Sequence, residues 1–241
     1  MEKVIDALLK EYITDYINKK DYSFVVKDSI PIVWFGDIDA YEQSSTRIVT
    51  IGLNPSKEEF PARSNPRFES LDIETLKNSR ASLAKTLNSY FKNNPYKKWF
   101  SKYNKLLNSM NASYGGIFDQ DNKKENTAIH IDIYSAIATD PTWGKLSDVQ
   151  KYRLENSALF DKLFLVLDPD IVLVSVNHQV FNNHFGKWKL IKERKFNGNN
   201  YIEIYTNGSK KLILGTNCRG TPFGAIKEDD ATETIAKFIN T

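Results

Sequence analysis

The chain has 241 residues, 41% hydrophobic and 12% aromatic, and its 33 basic and 30 acidic residues leave a net charge of +3. That is enough to bury a sizeable core as one domain over 1–241, while the near balance of charge neither demands nor rules out nucleic acid, so a basic patch must be local. A single cysteine, Cys218, excludes an internal disulfide, and no apolar run reaches the ~18 residues needed to span a membrane; the expectation is a soluble, cytoplasmic protein with no membrane partner.

Taken in chain order, Val4, Ile5, Leu8, Leu9, Tyr12, Ile13 and Tyr16 recur at helical spacing and predict an amphipathic helical extension over 1–20, unlike the unbroken apolar core of a signal peptide. An extended segment over 29–37 precedes the run Arg47-Ile48-Val49-Thr50-Ile51-Gly52-Leu53, a strand that stops abruptly at Asn54-Pro55-Ser56. The loop over 57–66 is too long for a simple strand-to-helix connection. Helical periodicity follows over 72–90 and 97–110, then a Gly115-Gly116 break and a polar tip at 122–126.

A second strand over 128–133 runs into Tyr134-Ser135, and a helix over 147–167 leads to a third strand over 171–176, ending at Asn177-His178. Residues 189–205 read as a hairpin turning at Asn197-Gly198-Asn199-Asn200. A fourth strand over 211–216 breaks at Asn217, and a helix from about Asp229 closes the chain. Apolar strands without alternation, separated by helices, predict an α/β fold: a three-layer α/β/α sandwich around a central, mainly parallel four-stranded sheet.

In a parallel sheet the C-terminal strand ends share one edge, which would gather Asn54, Asp132, Asn177 with His178, and Asn217 with Arg219 around one crevice, the place where open α/β folds bind ligands. His178, His184 and the distant Cys218 have no metal-ligand spacing, so no metal is expected. There is no Gly-x-Gly-x-x-Gly, no phosphate loop and no Gly-x-Ser-x-Gly turn, which disfavours a nucleotide-binding domain or an α/β hydrolase.

The motif Gly52-Leu53-Asn54-Pro55 at the end of the first strand resembles the first motif of the uracil-DNA glycosylase superfamily, in the Gly-x-Asn-Pro form of its mismatch-specific and single-strand-selective branches. Asn217 to Gly224 stands where that family carries its last motif but contains no His-Pro-Ser or Asn-Pro-Ser. Phe68, 14 positions after Asn54, stands where the family places an aromatic that stacks on the flipped base. The resemblance implies that Asn54 orients a water toward the sugar C1′, that the base departs by a dissociative path as an anion, and that no cofactor is needed.

Each residue also has a plainer reading. Asn54 is a turn former before Pro55, Phe68 a core ring, and Ser56 a helical cap rather than a phosphate contact. Lys57 and Arg67 could meet phosphate, although for Arg67 a surface ion pair is the preferred reading. Asp132 is either a general base or acceptor for a base amino group, or a buried cap for the turn at Tyr134 and Ser135, which line the pocket on either reading. His178 would contact the base or stand exposed. Asn217 and Arg219 fit leaving-group or phosphate roles, with Thr221 beside them, and Phe223 is either a duplex wedge or a hydrophobic anchor.

The expectation is therefore a monomeric DNA glycosylase that flips out a damaged or modified pyrimidine and hydrolyses its N-glycosidic bond, in repair or in defence against modified viral DNA. The rival is a glycosylase-like nucleic-acid-binding protein without catalysis.

Overall fold

The computed structural model describes residues 2–61, 64–216, 221–224 and 226–239. In chain order the elements are α1 (Glu2–Lys19), α2 (Ile38–Gln43), β1 (Ile48–Gly52), α3 (Ile73–Asn78), α4 (Arg80–Asn88), α5 (Lys97–Asn108), β2 (Ala112–Ser113), β3 (Asn126–Thr127), β4 (Ile129–Asp132), α6 (Asp148–Leu154), α7 (Ser157–Leu167), β5 (Ile171–Val174), α8 (His178–Phe185), β6 (Lys189–Lys195), β7 (Tyr201–Asn207), β8 (Lys210–Gly215) and α9 (Glu228–Ile239). Among the described residues no helix is long and apolar enough to cross a membrane.

The protein is mixed α/β, and its central sheet is mainly parallel with six strands in the order β4-β1-β5-β8-β7-β6. β1 and β5 run parallel from Ile48 opposite Ile171 to Ile51 opposite Val174, and β5 and β8 run parallel from Ile171 opposite Lys211 to Val174 opposite Leu214. Every residue of β1 and β5 is buried, which is why neither alternates in sequence. The expected four-stranded sheet is corrected to six strands: the hairpin β6–β7 forms as anticipated but joins the sheet, because β7 pairs antiparallel with β8.

Two predicted helices are each two. Ser79 accepts from Ser82 N–H and caps α4, ending α3 at Asn78. The helix over 147–167 starts at a capping box between Ser147 and Gln150 and breaks after Leu154, because Asn156 N–H donates to Tyr134 O (2.8 Å) and its amide to Asp15 Oδ1 (2.9 Å).

The chain forms two compact units. The first comprises Met1–Asp37, Gly52–Tyr96 and His130–Asp168. In it α1 packs on α3, α4 and α7 through Leu8, Leu9, Tyr12, Ile13 and Tyr16, whereas Val4, expected on that face, is exposed. The segment over 29–35 is buried and lies along residues 130–136, with Phe35 and His130 exchanging backbone hydrogen bonds (2.8 and 3.0 Å).

The second unit comprises Ile38–Ile51, Lys97–Ile129 and Pro169–Thr241. Tyr103 Oη donates to Ile51 O (2.9 Å), and Thr50 Oγ1 bonds Tyr114 Oη (2.6 Å). Phe223 is fully buried at a positive φ of 54°, its N–H donating to Ser175 Oγ (3.0 Å). Lys102 Nζ donates to the carbonyls of Phe223, Gly224 and Ile226 (3.1, 3.0 and 3.1 Å). An added Cβ at Gly215 would lie 2.2 Å from two Phe223 ring carbons. Gly215→Ala is therefore expected to lower stability by about 1–3 kcal/mol, read as a lower urea midpoint at unchanged slope.

Candidate active site

Backbone pairing continues past β1: Ile133 N–H donates to Gly52 O (3.1 Å) and Tyr134 N–H to Leu53 O (2.9 Å). The chain then reaches Pro55, which has no N–H to add to a ladder, and turns away. Thr139 N–H donates to Pro55 O (3.2 Å) and Lys57 N–H to Thr139 O (3.1 Å), so the turn is fastened to residues 137–139. Half-buried Asn54 donates from Nδ2 to Pro55 O (2.8 Å), Thr139 Oγ1 (3.2 Å) and Ile137 O (3.3 Å). Two of these partners are carbonyls, which only accept, so chemistry dictates which way the amide faces. Among the described residues no donor reaches its Oδ1.

Beside this turn β4 places His130 and Asp132 two residues apart on one face. Their side chains are 2% and 5% exposed, and Nε2 and Oδ1 lie 3.7 Å apart, beyond hydrogen-bond distance. Among the described residues no hydrogen-bond donor reaches the Asp132 carboxylate. At 3.7 Å the imidazole and the carboxylate can still pair as ions, and the carboxylate keeps acceptor capacity for a further N–H or O–H, water included. Gly52 makes the arrangement possible: a Cβ there would lie 2.4 Å from Asp132 Oδ1 and 2.9 Å from His130 Nε2.

Phe68 does not stand as an open plate. It is 7% exposed, its ring stacks on Phe60 at 5.6 Å and lies 4.9 Å from Tyr90. Phe35 bridges this cluster to the strand end, touching Phe68 (6.2 Å), Tyr90 (4.8 Å) and His130 (5.4 Å). Tyr90 of this cluster also meets Glu59, 5% exposed at the end of the short turn Lys57–Glu59. Tyr90 Oη donates to Glu59 Oε2 and accepts from Tyr96 N–H (2.9 Å). Burial pushes the Glu59 carboxyl up to about 8, against the pull of the Tyr90 hydrogen bond and the Arg67 guanidinium.

The remaining expected residues of the first unit serve its loops. Ser56 Oγ accepts from Glu58 N–H (3.3 Å), a cap rather than a free hydroxyl. Lys57 pairs with Asp140 (3.1 Å) in the open. Arg67 donates to Glu58 O and Asn94 O (both 2.7 Å) and lies over Tyr96, so it braces the loop instead of forming the surface ion pair expected of it. Tyr134 stacks on Trp143 (4.7 Å, 11°), and Ser135 Oγ accepts from Ile137 N–H (3.1 Å) as a buried turn former.

In the second unit His178 opens α8 with Nε2 2.9 and 3.0 Å from the Glu203 oxygens; Glu203 also accepts from Tyr205 Oη (2.7 Å), and Tyr201 stacks on the imidazole (4.5 Å, 12°). Burial and then Glu203 push the Tyr201 hydroxyl up to about 12. Phe223 is not a wedge: its ring is buried against Gly215 and Tyr103, the anchoring alternative. Thr221 is half-exposed and accepts at its carbonyl from Gly224 N–H (3.0 Å). Asn217 and Arg219 lie outside the described residues.

The structure thus brings Asn54, Phe68, Asp132, Tyr134 and Ser135 into one unit, and adds His130, Glu59 and Tyr90, which residue-type reasoning passed over. For His130 the signal was present, since positions two apart on a strand share a face. Ser56-Lys57-Glu58-Glu59 has the Ser-x-x-Glu pattern of a capping box, yet the Glu59 side chain bonds Tyr90 instead, a partner 31 positions away.

A carboxyl raised from an ordinary 4.5 to about 8 stabilises the folded state while protonated, fully below about pH 4.5, and that contribution is lost as pH climbs through about 8. The thermal midpoint is therefore expected to fall from about pH 5 to about pH 8, and Glu59→Gln to flatten that decline in thermal melts across the window. No protein-family model matches this sequence and no curated protein is similar to it, so the chemistry of the site stands on its own residues.

Proposed function

We propose that the chain is a monofunctional DNA glycosylase of the uracil-DNA glycosylase type, a three-layer α/β/α sandwich acting as a monomer on an extruded modified pyrimidine without metal or cofactor. One observation carries the reading: Asn54 has its amide hydrogens occupied and, among the described residues, no donor on its Oδ1, at a strand end that also holds the carboxylate of Asp132. An acceptor oxygen held in this way can orient a water but cannot serve as a strong base, which suits attack on a sugar that already carries oxocarbenium character.

The C1′–N bond breaks with its electron pair moving onto the base, and the water oriented by Asn54 adds to C1′, leaving an abasic site. Asp132 takes a donor from the base edge, which favours a base with an exocyclic amino group, a cytosine derivative over uracil, or accepts the proton of the attacking water. The covered ring of Phe68 favours the rival, a protein that binds nucleic acid without cutting the bond, because a base cannot stack there until Phe60 or Tyr90 gives way.

Incubation with oligonucleotides containing uracil, mismatched thymine, 5-hydroxymethylcytosine or glucosylated cytosine, followed by alkaline cleavage, separates the two. Strand breaks with at least one substrate are expected, with Asn54→Ala slowing excision by roughly 10²–10⁴-fold while DNA binding persists. DNA binding without excision on the whole panel supports the rival.

A further inference from the structure

Nine residues of the second unit carry more positive charge than the whole chain. Lys187-Trp188-Lys189-Leu190-Ile191-Lys192-Glu193-Arg194-Lys195 holds five cations and one acid, a net +4 against +3 overall, so everything else is left with a net −1. β6, which contains all but the first two of these residues, is the last strand of its sheet, and among the described residues no strand pairs with its outer side. A register shift between Leu190 and Lys192 leaves Ile191 as a bulge. Lys189, Lys192 and Arg194 then stand opposite Thr206, Ile204 and Ile202, alternate residues of β7, so the bulge gathers on one face three cations that strict alternation would have split. Lys195, opposite Tyr201, closes the row level with the end of β8, where Ile202 stands opposite Gly215.

Some of these cations hold the fold together. Lys192 lies over the Phe238 ring (5.2 Å), and Arg194 donates to Thr234 Oγ1 (2.7 Å) and lies over Phe196 (5.0 Å), which ties α9 to the strand. Others are not committed. Exposed Lys187 and Lys189 have no side-chain partner among the described residues. Lys195 pairs with Glu193 at 3.3 Å, with side chains 77% and 36% exposed, an open pair that exchanges at little cost. At ~3.4 Å per residue the row from Lys189 to Lys195 is about 20 Å long.

We propose that the outer edge of β6 is a docking surface for the phosphate backbone of a nucleic acid, held by Lys187, Lys189 and Lys195. Charge complementarity selects this occupant: a nucleic acid strand presents a continuous line of negative charge, about one phosphate per 3.4 Å of duplex axis, so a cationic row of this length meets several at once. A second copy pairing edge to edge would set the same cations against one another, and the bulge spoils the edge for a further strand. A membrane surface asks for a broad apolar face, whereas the exposed large apolar residues of this edge are Leu190 and Ile191 alone. The assignment rests on nucleic acid being the partner, as in both readings above, and not on excision.

The test is fluorescence anisotropy of a labelled oligonucleotide, single-stranded and as a duplex, with the full chain over a salt series. Lys187→Gln/Lys189→Gln/Lys195→Gln is expected to weaken binding at least tenfold at low salt and to lower the slope of log affinity against log salt by about 2–3, because three phosphate contacts are lost. Lys77→Gln/Lys98→Gln/Lys123→Gln removes the same charge from exposed positions elsewhere and is expected to leave that slope within about half a unit of the parent's. Should the first triple variant fail to fold, Lys187→Gln and Lys189→Gln singly are each expected to lower the slope by about 1.

Equal losses in the two triple variants, or none in the first, overturn the docking surface and leave the glycosylase reading to the excision panel. So does a first variant that self-associates in light scattering while binding DNA as the parent does, since the lysines would then only guard the edge. Parent binding to phosphatidylserine vesicles through these lysines, with no binding to either oligonucleotide, overturns it in favour of a membrane. A lowered slope in a protein that excises nothing upholds the surface and sinks the glycosylase reading alone.

Discussion

The candidate site depends on a missing methyl group. At Gly52 the end of β1 lies so close to Asp132 and His130 that a Cβ would fall 2.4 Å from one and 2.9 Å from the other. Only glycine lets the carboxylate and the imidazole rest against the strand, and backbone pairing through Ile133 and Tyr134 holds them there. The glycine of Gly-Leu-Asn-Pro is thus a packing requirement before it is a motif. The polar residue of the same motif, Asn54 with its pinned amide, is placed by the same local geometry.

Among the described residues, the loop from Asn54 to Phe68 is held chiefly by bonds to backbone rather than by ion pairs. Asn54 bonds two carbonyls, Arg67 two more, and Ser56 caps the turn that carries Glu59 inward. Long cationic side chains are used in the same way in the second unit, where Lys102 spends its three hydrogens on three carbonyls of the segment that follows β8. Charge that composition counts as available for phosphate is, at these positions, already engaged. Exposed pairs such as Lys57 with Asp140 remain exchangeable, because a surface ion pair contributes only about 0–1 kcal/mol.

The two carboxyl groups of the first unit differ in what surrounds them. Glu59 is buried and given one hydroxyl, so burial outweighs the hydrogen bond and the neutral form is favoured. Asp132 lies beside an imidazole that it does not quite reach and has no donor of its own among the described residues. Glu59 has one hydroxyl partner and Asp132 an imidazole within ion-pairing distance, so each keeps acceptor capacity for a further donor.

The sequence by itself determined the α/β class, the four buried parallel-type runs, the hairpin, and the polar strand ends at Asn54 and Asp132, because burial on both faces and turn chemistry are properties of a few adjacent residues. Only the tertiary structure decided that the hairpin extends the sheet to six strands, that Ser79 and Asn156 interrupt helices, and that Phe68 and Phe223 turn inward. It alone also joined Glu59 to Tyr90 across 31 positions and set Gly52 against Asp132. Periodicity reports which face of an element is apolar; which groups meet across that face depends on chain crossings that no local pattern encodes.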